Sequence, residues 1–385
     1  MHGLHADHPA VILGAADRAM QARDYAAAAA LLERPAMREQ KGPDVLLRLA
    51  AARRALGDVP GALESAHAAV KTDPACFPAL LMVGSLLDAL GRKEDAAGYY
   101  ENALRVAPDD QKLPPAFQAE LARGRRRVAS DRSWRDHVAS VSMPSPQMIA
   151  ERDITNLEIF RDRILGGPNA DGTPGQFLYP GLSRATFYDP ALFANVDALE
   201  RATSAIVEEF KTVISARAPE LVYAVDGGHH RPCEPATATS TSDNRWTAIH
   251  LVADGQTVTD NARYCPQTMA LYEALKPPVI AGRSPNLMFS ILDPHTQIPP
   301  HHGVTNTRLV LHIPLIIPDG CALRVGADTR EWVPGRALIF DDTINHEAWN
   351  NSDSLRVVLL CDIWHPGLSP VERETVATLM AQQNS

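Results

Sequence analysis

The first third of this chain repeats itself at a fixed interval. Leu56-Gly57 recurs as Leu90-Gly91, Ala62 as Ala96, Ala69 as Ala103 and Pro74 as Pro108, each pair 34 positions apart. A weaker earlier copy sets Arg23-Asp24 and Ala28 one period before Gly57-Asp58 and Ala62. Around these positions the sequence is rich in alanine and leucine at helical spacing, so residues 8–110 are predicted to form stacked helix pairs. Glycine permits the tight turn between two helices, and alanine lets neighbouring helices approach closely. Proline ends each second helix and starts the next unit. A unit of this size buries its apolar face only against its neighbours, so about three are needed for a stable stack.

The period and the positions of Gly57, Gly91 and the alanines resemble the tetratricopeptide repeat, a helix-turn-helix unit of 34 residues. That resemblance implies a concave surface for a peptide or partner protein; a spacer or dimerisation arm fits the same pattern. Phe117, Leu121, Val128 and Trp134 follow at helical spacing, so residues 111–145 read as a capping helix and linker. The net charge of −9 and pI near 5.9 offer no general attraction to nucleic acid or anionic membranes. The arginines at 123, 125, 126 and 127 read as one solvated helix face. Five scattered cysteines with no CxxC pair argue against a disulfide framework or zinc ribbon. No window approaches the roughly 18 apolar residues of a membrane span, and a cytoplasmic location is expected.

From about Ser142 the alanine periodicity gives way to prolines and glycines, which marks a boundary and assigns residues 146–385 to a second domain. Helical spacing persists around 192–215 and 266–275. Strands are predicted at 246–252, 286–292, 307–315, 321–325, 329–333, 336–341 and 355–363. Many short strands after a helical prelude predict a small antiparallel barrel or jelly roll. Inside it, His301 and His346 lie 45 positions apart, with Arg356 ten further on. Two histidines from separate strands, with an arginine facing the same cavity, suit a mononuclear iron site that also holds an acidic co-substrate. The Gly-, Pro-, Ser- and Thr-rich stretch 226–244 reads as a loop over the mouth of that cavity.

The segments Ser290-Ile291-Leu292, Pro300-His301-His302-Gly303-Val304-Thr305-Asn306-Thr307-Arg308, Leu311-His312, Leu338-Ile339-Phe340-Asp341-Asp342, His346-Glu347-Ala348-Trp349, and Arg356 with Asp362-Ile363-Trp364-His365-Pro366 occur in this order. Together they resemble the aspartyl/asparaginyl β-hydroxylase family, whose members are iron(II)- and 2-oxoglutarate-dependent dioxygenases on a double-stranded β-helix. The resemblance is dense from about 285 to 368 and thinner back to about 150, where Phe187-Tyr188-Asp189 and Trp246 match the lead-in. It makes His301 and His346 the iron ligands. It makes Arg356, Ser290 and His312 the co-substrate contacts, and turns Arg308 toward the acidic group of the substrate. Gly303 stands where most oxygenases of the wider class place an acidic third ligand, and the family resembles this chain in having glycine there. The implied reaction hydroxylates an aspartyl or asparaginyl residue of a peptide or protein, with dioxygen and 2-oxoglutarate giving succinate and carbon dioxide.

One position departs from the resemblance. Val310 stands where the family usually has a second co-substrate arginine, and on a strand it shares a face with Arg308 and His312. Arg308 leaning across to replace that charge is one expectation. Asp341 and Asp342 either orient His346 or form a turn. Two other readings fit the same residues: hydroxylation of a free amino acid or small acidic metabolite, and a non-catalytic tetratricopeptide scaffold with a decayed barrel.

Overall fold

The computed structural model describes residues 8–34, 37, 42–166, 176–221 and 246–381. These fall into two compact units that divide between Arg132 and Ser133.

The first unit contains α1 (Pro9–Gln21), α2 (Tyr25–Leu32), α3 (Pro43–Ala55), α4 (Val59–Thr72), α5 (Phe77–Ala89) and α6 (Lys93–Val106). Helices α1, α3 and α5 begin at residues 9, 43 and 77, and α2, α4 and α6 at 25, 59 and 93, so both series advance by 34. Gly57 and Gly91 turn the chain with φ of 81° and 73°, and Arg23 occupies the equivalent place at 59°. A left-handed conformation costs a non-glycine residue about 1 kcal/mol, which the first repeat carries. Asp24 and Asp58 cap the following helices by accepting from the backbone N–H of Ala27 and Gly61. Ala28, Ala62, Ala69, Ala96 and Ala103 are completely buried, as close helix approach requires. A further helix, α7 (Pro115–Ser140), contributes Leu121 to the core of this unit and Trp134 and Val138 to a core of the second.

The second unit opens with α8 (Glu151–Ile164) and continues through β1 (Phe187–Tyr188), α9 (Val196–Arg201), α10 (Thr203–Leu221), β2 (Trp246–Ala253), β3 (Gln256–Thr257), α11 (Thr259–Ala262) and α12 (Pro266–Ala274). There follow β4 (Leu287–Leu292), β5 (Thr296–His301), β6 (Arg308–Ile316), β7 (Cys321–Val325), β8 (Asp328–Glu331), β9 (Leu338–Phe340), β10 (His346–Asn350), β11 (Arg356–Trp364) and α13 (Pro370–Met380). The strands make two antiparallel sheets, ordered β1-β9-β6-β11-β4-β2-β3 and β5-β10-β7-β8. This is a double-stranded β-helix preceded by helical repeats.

Alternation along the strands sorts the residues between two cores. Phe289, Ile291, Leu309, Leu311, Ile313, Val357 and Leu359 face helices α9, α10 and α12, packing on Leu199, Ile206, Phe210 and Tyr272. The intervening Val310 and Val358 face inward with Leu338 and Phe340, and meet Leu323, Val325 and Ala348 of the small sheet. Central strands buried on both faces therefore read as continuous apolar runs in sequence.

Helices α8 and α13, and strands β5 and β10, were not among the predicted elements. Strand β5 carries Pro299 and Pro300 but lies at the edge of the small sheet, bonded only to β10, where proline is tolerated. Strand β10, His-Glu-Ala-Trp-Asn, alternates between buried and half-buried residues with a weak apolar signature. The loop predicted at 226–244 lies outside the described residues, apart from which no described helix is long and apolar enough to cross a membrane.

Candidate active site

Strands β5 and β10 place His301 directly opposite His346 in register. Their ring centroids are 4.0 Å apart, and both side chains are buried. Each ring is oriented by a carbonyl of its own strand or turn: Nδ1 of His301 lies 2.8 Å from the Pro299 oxygen, and Nδ1 of His346 lies 2.9 Å from the Ile344 oxygen. A carbonyl only accepts, so both Nδ1 atoms carry the hydrogen and both Nε2 atoms keep their lone pairs. Burial, reinforced by the neighbouring His346, pushes His301 down to about 3; burial pushes His346 down to about 4, against the pull of the Ile344 carbonyl. Both imidazoles are thus neutral at ordinary pH, which is the form that binds a metal. Two neutral imidazoles with ordered rings and free Nε2 atoms fit a divalent ion of the borderline class, iron(II) included. No described group of three or more His, Cys, Asp and Glu side chains forms a larger cluster.

The third-ligand position is closed by packing. A Cβ on Gly303 would sit 2.2 Å from Cγ of Asp342, whose carbonyl also accepts from the Gly303 N–H at 2.5 Å. Gln176 bridges the same two segments, donating to the carbonyls of Gly303 and Thr343 at 3.0 Å each. Asp341 forms the turn that sequence reading offered as one option, with Oδ1 accepting from the Thr343 N–H and hydroxyl. Asp342 adds a second task by pairing with Arg308.

A chain of contacts runs from the histidine pair across the large sheet. The Phe340 ring stands 5.3 Å from His346 and 5.1 Å from His312. Nε1 of Trp332 lies 3.2 Å from Nδ1 of His312, and the Trp332 ring lies 4.9 Å from the guanidinium carbon of Arg356. Arg356, only 1% exposed, donates to the Ser290 carbonyl at 3.2 Å and to its hydroxyl at 3.3 Å. The same hydroxyl accepts from Nε1 of Trp246 at 2.9 Å, so its own hydrogen is left to donate elsewhere.

The two interior arginines differ in their partners. Arg308 lies 3.1 Å from Oδ2 of Asp342 and 3.1 Å from Oδ1 of Asp362. Burial disfavours its charge, but these carboxylates outweigh burial and hold its pKa above the ordinary value. Arg356 has no carboxylate partner among the described residues, and burial lowers its pKa to about 10. Its Nε and the Nε2 of His312 are both buried with no hydrogen-bond partner. A guanidinium and a histidine that retain unspent donors in one dry interior are suited to an anion.

The structure therefore joins His301, His346, His312, Ser290 and Arg356 through one interior, with Val310 on the apolar wall between them. Arg308, expected to face a substrate acid or to lean toward the co-substrate, is flanked by two carboxylates of the fold, Asp342 and Asp362. Trp332 escaped sequence reading because an isolated tryptophan after a short polar strand carries no motif. Its only signal is the aromatic residue itself, at the end of the predicted strand 329–333.

The sequence profile described as aspartyl/asparaginyl beta-hydroxylase matches residues 203–366. Mouse aspartate beta-hydroxylase domain-containing protein 2 is 32% identical over 223 residues, covering 57% of this chain and 62% of that protein. Human aspartyl/asparaginyl beta-hydroxylase is 35% identical over 135 residues, covering 35% of this chain and 18% of that protein. The ornithine lipid ester-linked acyl 2-hydroxylase of Rhizobium tropici is 35% identical over 195 residues, covering 50% and 65%. The chain thus spans less than two thirds of each of these relatives. Residues 203–366, with the histidine pair and the buried arginine inside that span, are thus similar to the aspartyl/asparaginyl beta-hydroxylase family.

Proposed function

We propose that this chain is an iron(II)- and 2-oxoglutarate-dependent dioxygenase that hydroxylates an aspartyl or asparaginyl residue of a peptide or protein. The observation that carries the reading is Arg356: a fully buried cation with no carboxylate partner among the described residues, joined through Trp332, His312 and Phe340 to a neutral histidine pair. A fold keeps an uncompensated buried charge at a cost, and a bound dicarboxylate offsets that cost.

His301 and His346 would hold the metal through Nε2. Arg356 would take the distal carboxylate of 2-oxoglutarate, with the free hydrogens of Ser290 Oγ and His312 Nε2 supplying neutral donors beside it. Iron(II), when bound, supplies the redox chemistry that couples oxidative decarboxylation of the keto acid to hydroxylation of a carbon. The apolar wall of Val310, Phe340 and Val358 keeps water from these charged groups and strengthens their interaction. The helical repeats would hold the peptide or protein that presents the target residue, and free cysteines at 76, 265, 321 and 361 support a reducing, cytoplasmic setting.

Val310 and the carboxylate-paired Arg308 favour a second reading, in which the target carbon belongs to an ester-linked acyl group, the group that the name of the Rhizobium tropici relative gives for that protein. Succinate release under iron(II), 2-oxoglutarate and air tests both readings, with Asp- or Asn-containing peptides, free amino acids and an acyl ester compared. Turnover that needs His346 and a peptide supports the first. Turnover only with the ester supports the second, and release unaffected by His346→Ala refutes the oxygenase assignment.

A further inference from the structure

We propose that Trp332 is a positioning residue of the anion pocket, holding His312 in the tautomer that donates from Nε2 while its ring carries the Arg356 guanidinium. The inference rests on the reading of this pocket as the keto-acid site.

An indole nitrogen only donates. With Nε1 of Trp332 3.2 Å from Nδ1 of His312, that histidine nitrogen must accept. His312 is buried beside Arg356 and carries no second proton, so the single hydrogen of its ring belongs to Nε2. That Nε2–H is buried and has no protein partner. Its donor capacity is therefore unspent and remains for a bound acid.

The opposite tautomer would present a lone pair to the same acid and repel it. The chain removes that option with one contact, made from across the two-sheet gap: Trp332 follows β8 of the small sheet, whereas His312 and Arg356 stand on β6 and β11 of the large sheet. The tryptophan is 4% exposed, and its face lies 4.9 Å from the Arg356 guanidinium carbon. This cation–π contact holds the cation without consuming its N–H donors, since the ring face offers attraction but no acceptor atom. One side chain thus leaves a neutral donor and a charged fork both unspent.

Trp332→Phe separates the two tasks, because phenylalanine keeps an aromatic face and loses the N–H. In the metal-free protein, nitrogen-15 spectra of the imidazoles, with His312 identified through a His312→Gln variant, are expected to show Nε2–H in the wild type and a tautomer mixture in Trp332→Phe. The KM for 2-oxoglutarate is expected to rise about tenfold in the variant, with kcat at saturating keto acid changed less than about twofold. A wild-type His312 in the Nδ1–H form, or a variant with unchanged keto-acid KM, overturns the proposal. Failure of the wild type to bind 2-oxoglutarate refutes the pocket reading itself, a result that the tautomer measurement distinguishes from failure of the Trp332 contact.

Discussion

Replacing Arg356 by methionine should stabilise the protein without ligand and abolish its response to 2-oxoglutarate. The guanidinium is 1% exposed, and burial lowers its pKa from the ordinary arginine value to about 10. At pH 7 the arginine is charged in both folded and unfolded chains, so the depressed folded value is a cost to folding at every pH below about 10. At 1.36 kcal/mol per decade that cost is on the order of 3 kcal/mol. Methionine loses the two hydrogen bonds to Ser290, each contributing about 1 kcal/mol, so a net gain of about 1–2 kcal/mol remains. For a domain of this size that is a rise in melting temperature of a few degrees. Binding moves in the opposite direction. A guanidinium–carboxylate fork supplies two charge-assisted bonds of about 1.5–3 kcal/mol each, so affinity should fall by at least two decades. Thermal melts with a redox-inert divalent ion, with and without saturating 2-oxoglutarate, read both effects: the keto acid should raise the wild-type midpoint and leave that of the variant unchanged. A variant that melts lower than wild type and still responds to 2-oxoglutarate would refute the argument that Arg356 is an unpaired cation kept for an anion.

The same measurements on Arg308→Met should give the reverse pattern, with stability reduced by about 3–5 kcal/mol in urea unfolding because Asp342 and Asp362 are left buried without their cation. Gly303→Asp should not create a tighter metal site: its Cβ meets Asp342 at 2.2 Å, and calorimetric metal affinity should not rise while stability drops by about 2 kcal/mol or more. Metal affinity should stay flat from pH 8 to about 5.5, since the two histidines bind protons only near 3 and 4, whereas ordinary exposed imidazoles would begin to release metal near 6.5. Those lowered values also make metal-free stability fall as pH drops below 6.5, where the unfolded imidazoles take up protons and the folded ones do not. The loss at pH 5 is on the order of 2 kcal/mol per histidine, and His346→Ala should flatten the pH dependence of the urea midpoint.

The repeat unit was legible because its constraints are local. Gly57 and Gly91 turn within a few residues of the helices that they join, and a 34-residue step in sequence becomes a 34-residue step in helix starts. The β unit was legible where strands are buried on both faces, as at β4 and β11. The strands that carry the histidines were harder to read for a physical reason. An edge strand tolerates Pro299 and Pro300, and β10 alternates polar with apolar residues, so neither shows the apolar density that marks a central strand. Trp332 was illegible because its importance lies in two contacts with residues 20 and 24 positions away, His312 and Arg356, made across a gap between sheets.

Arg308 shows why residue type alone does not assign a role in such an interior. Register pairs Trp364 with Arg308 and Asp362 with Val310, so Asp362 is a diagonal neighbour of Arg308 on the same face. Asp342 reaches the same guanidinium from the turn before β10. Neither approach is visible from a strand pattern, since each depends on how strands distant in sequence align. Once aligned, two carboxylates hold Arg308 charged, and its electrostatic capacity serves the fold. Arg356 stands on β11 opposite Leu292, where its diagonal neighbour on β4 is Ser290, a hydroxyl that leaves the cation uncompensated. The difference between a paired arginine and an unpaired one is thus set by what the neighbouring strand offers at the diagonal position: an aspartate beside Arg308, a serine beside Arg356. Introducing the acid there, as Ser290→Asp, should turn Arg356 into a second Arg308, with the unliganded fold's arginine paired internally and the 2-oxoglutarate response in the thermal melt lost; a retained response would show that the anion is held by other groups.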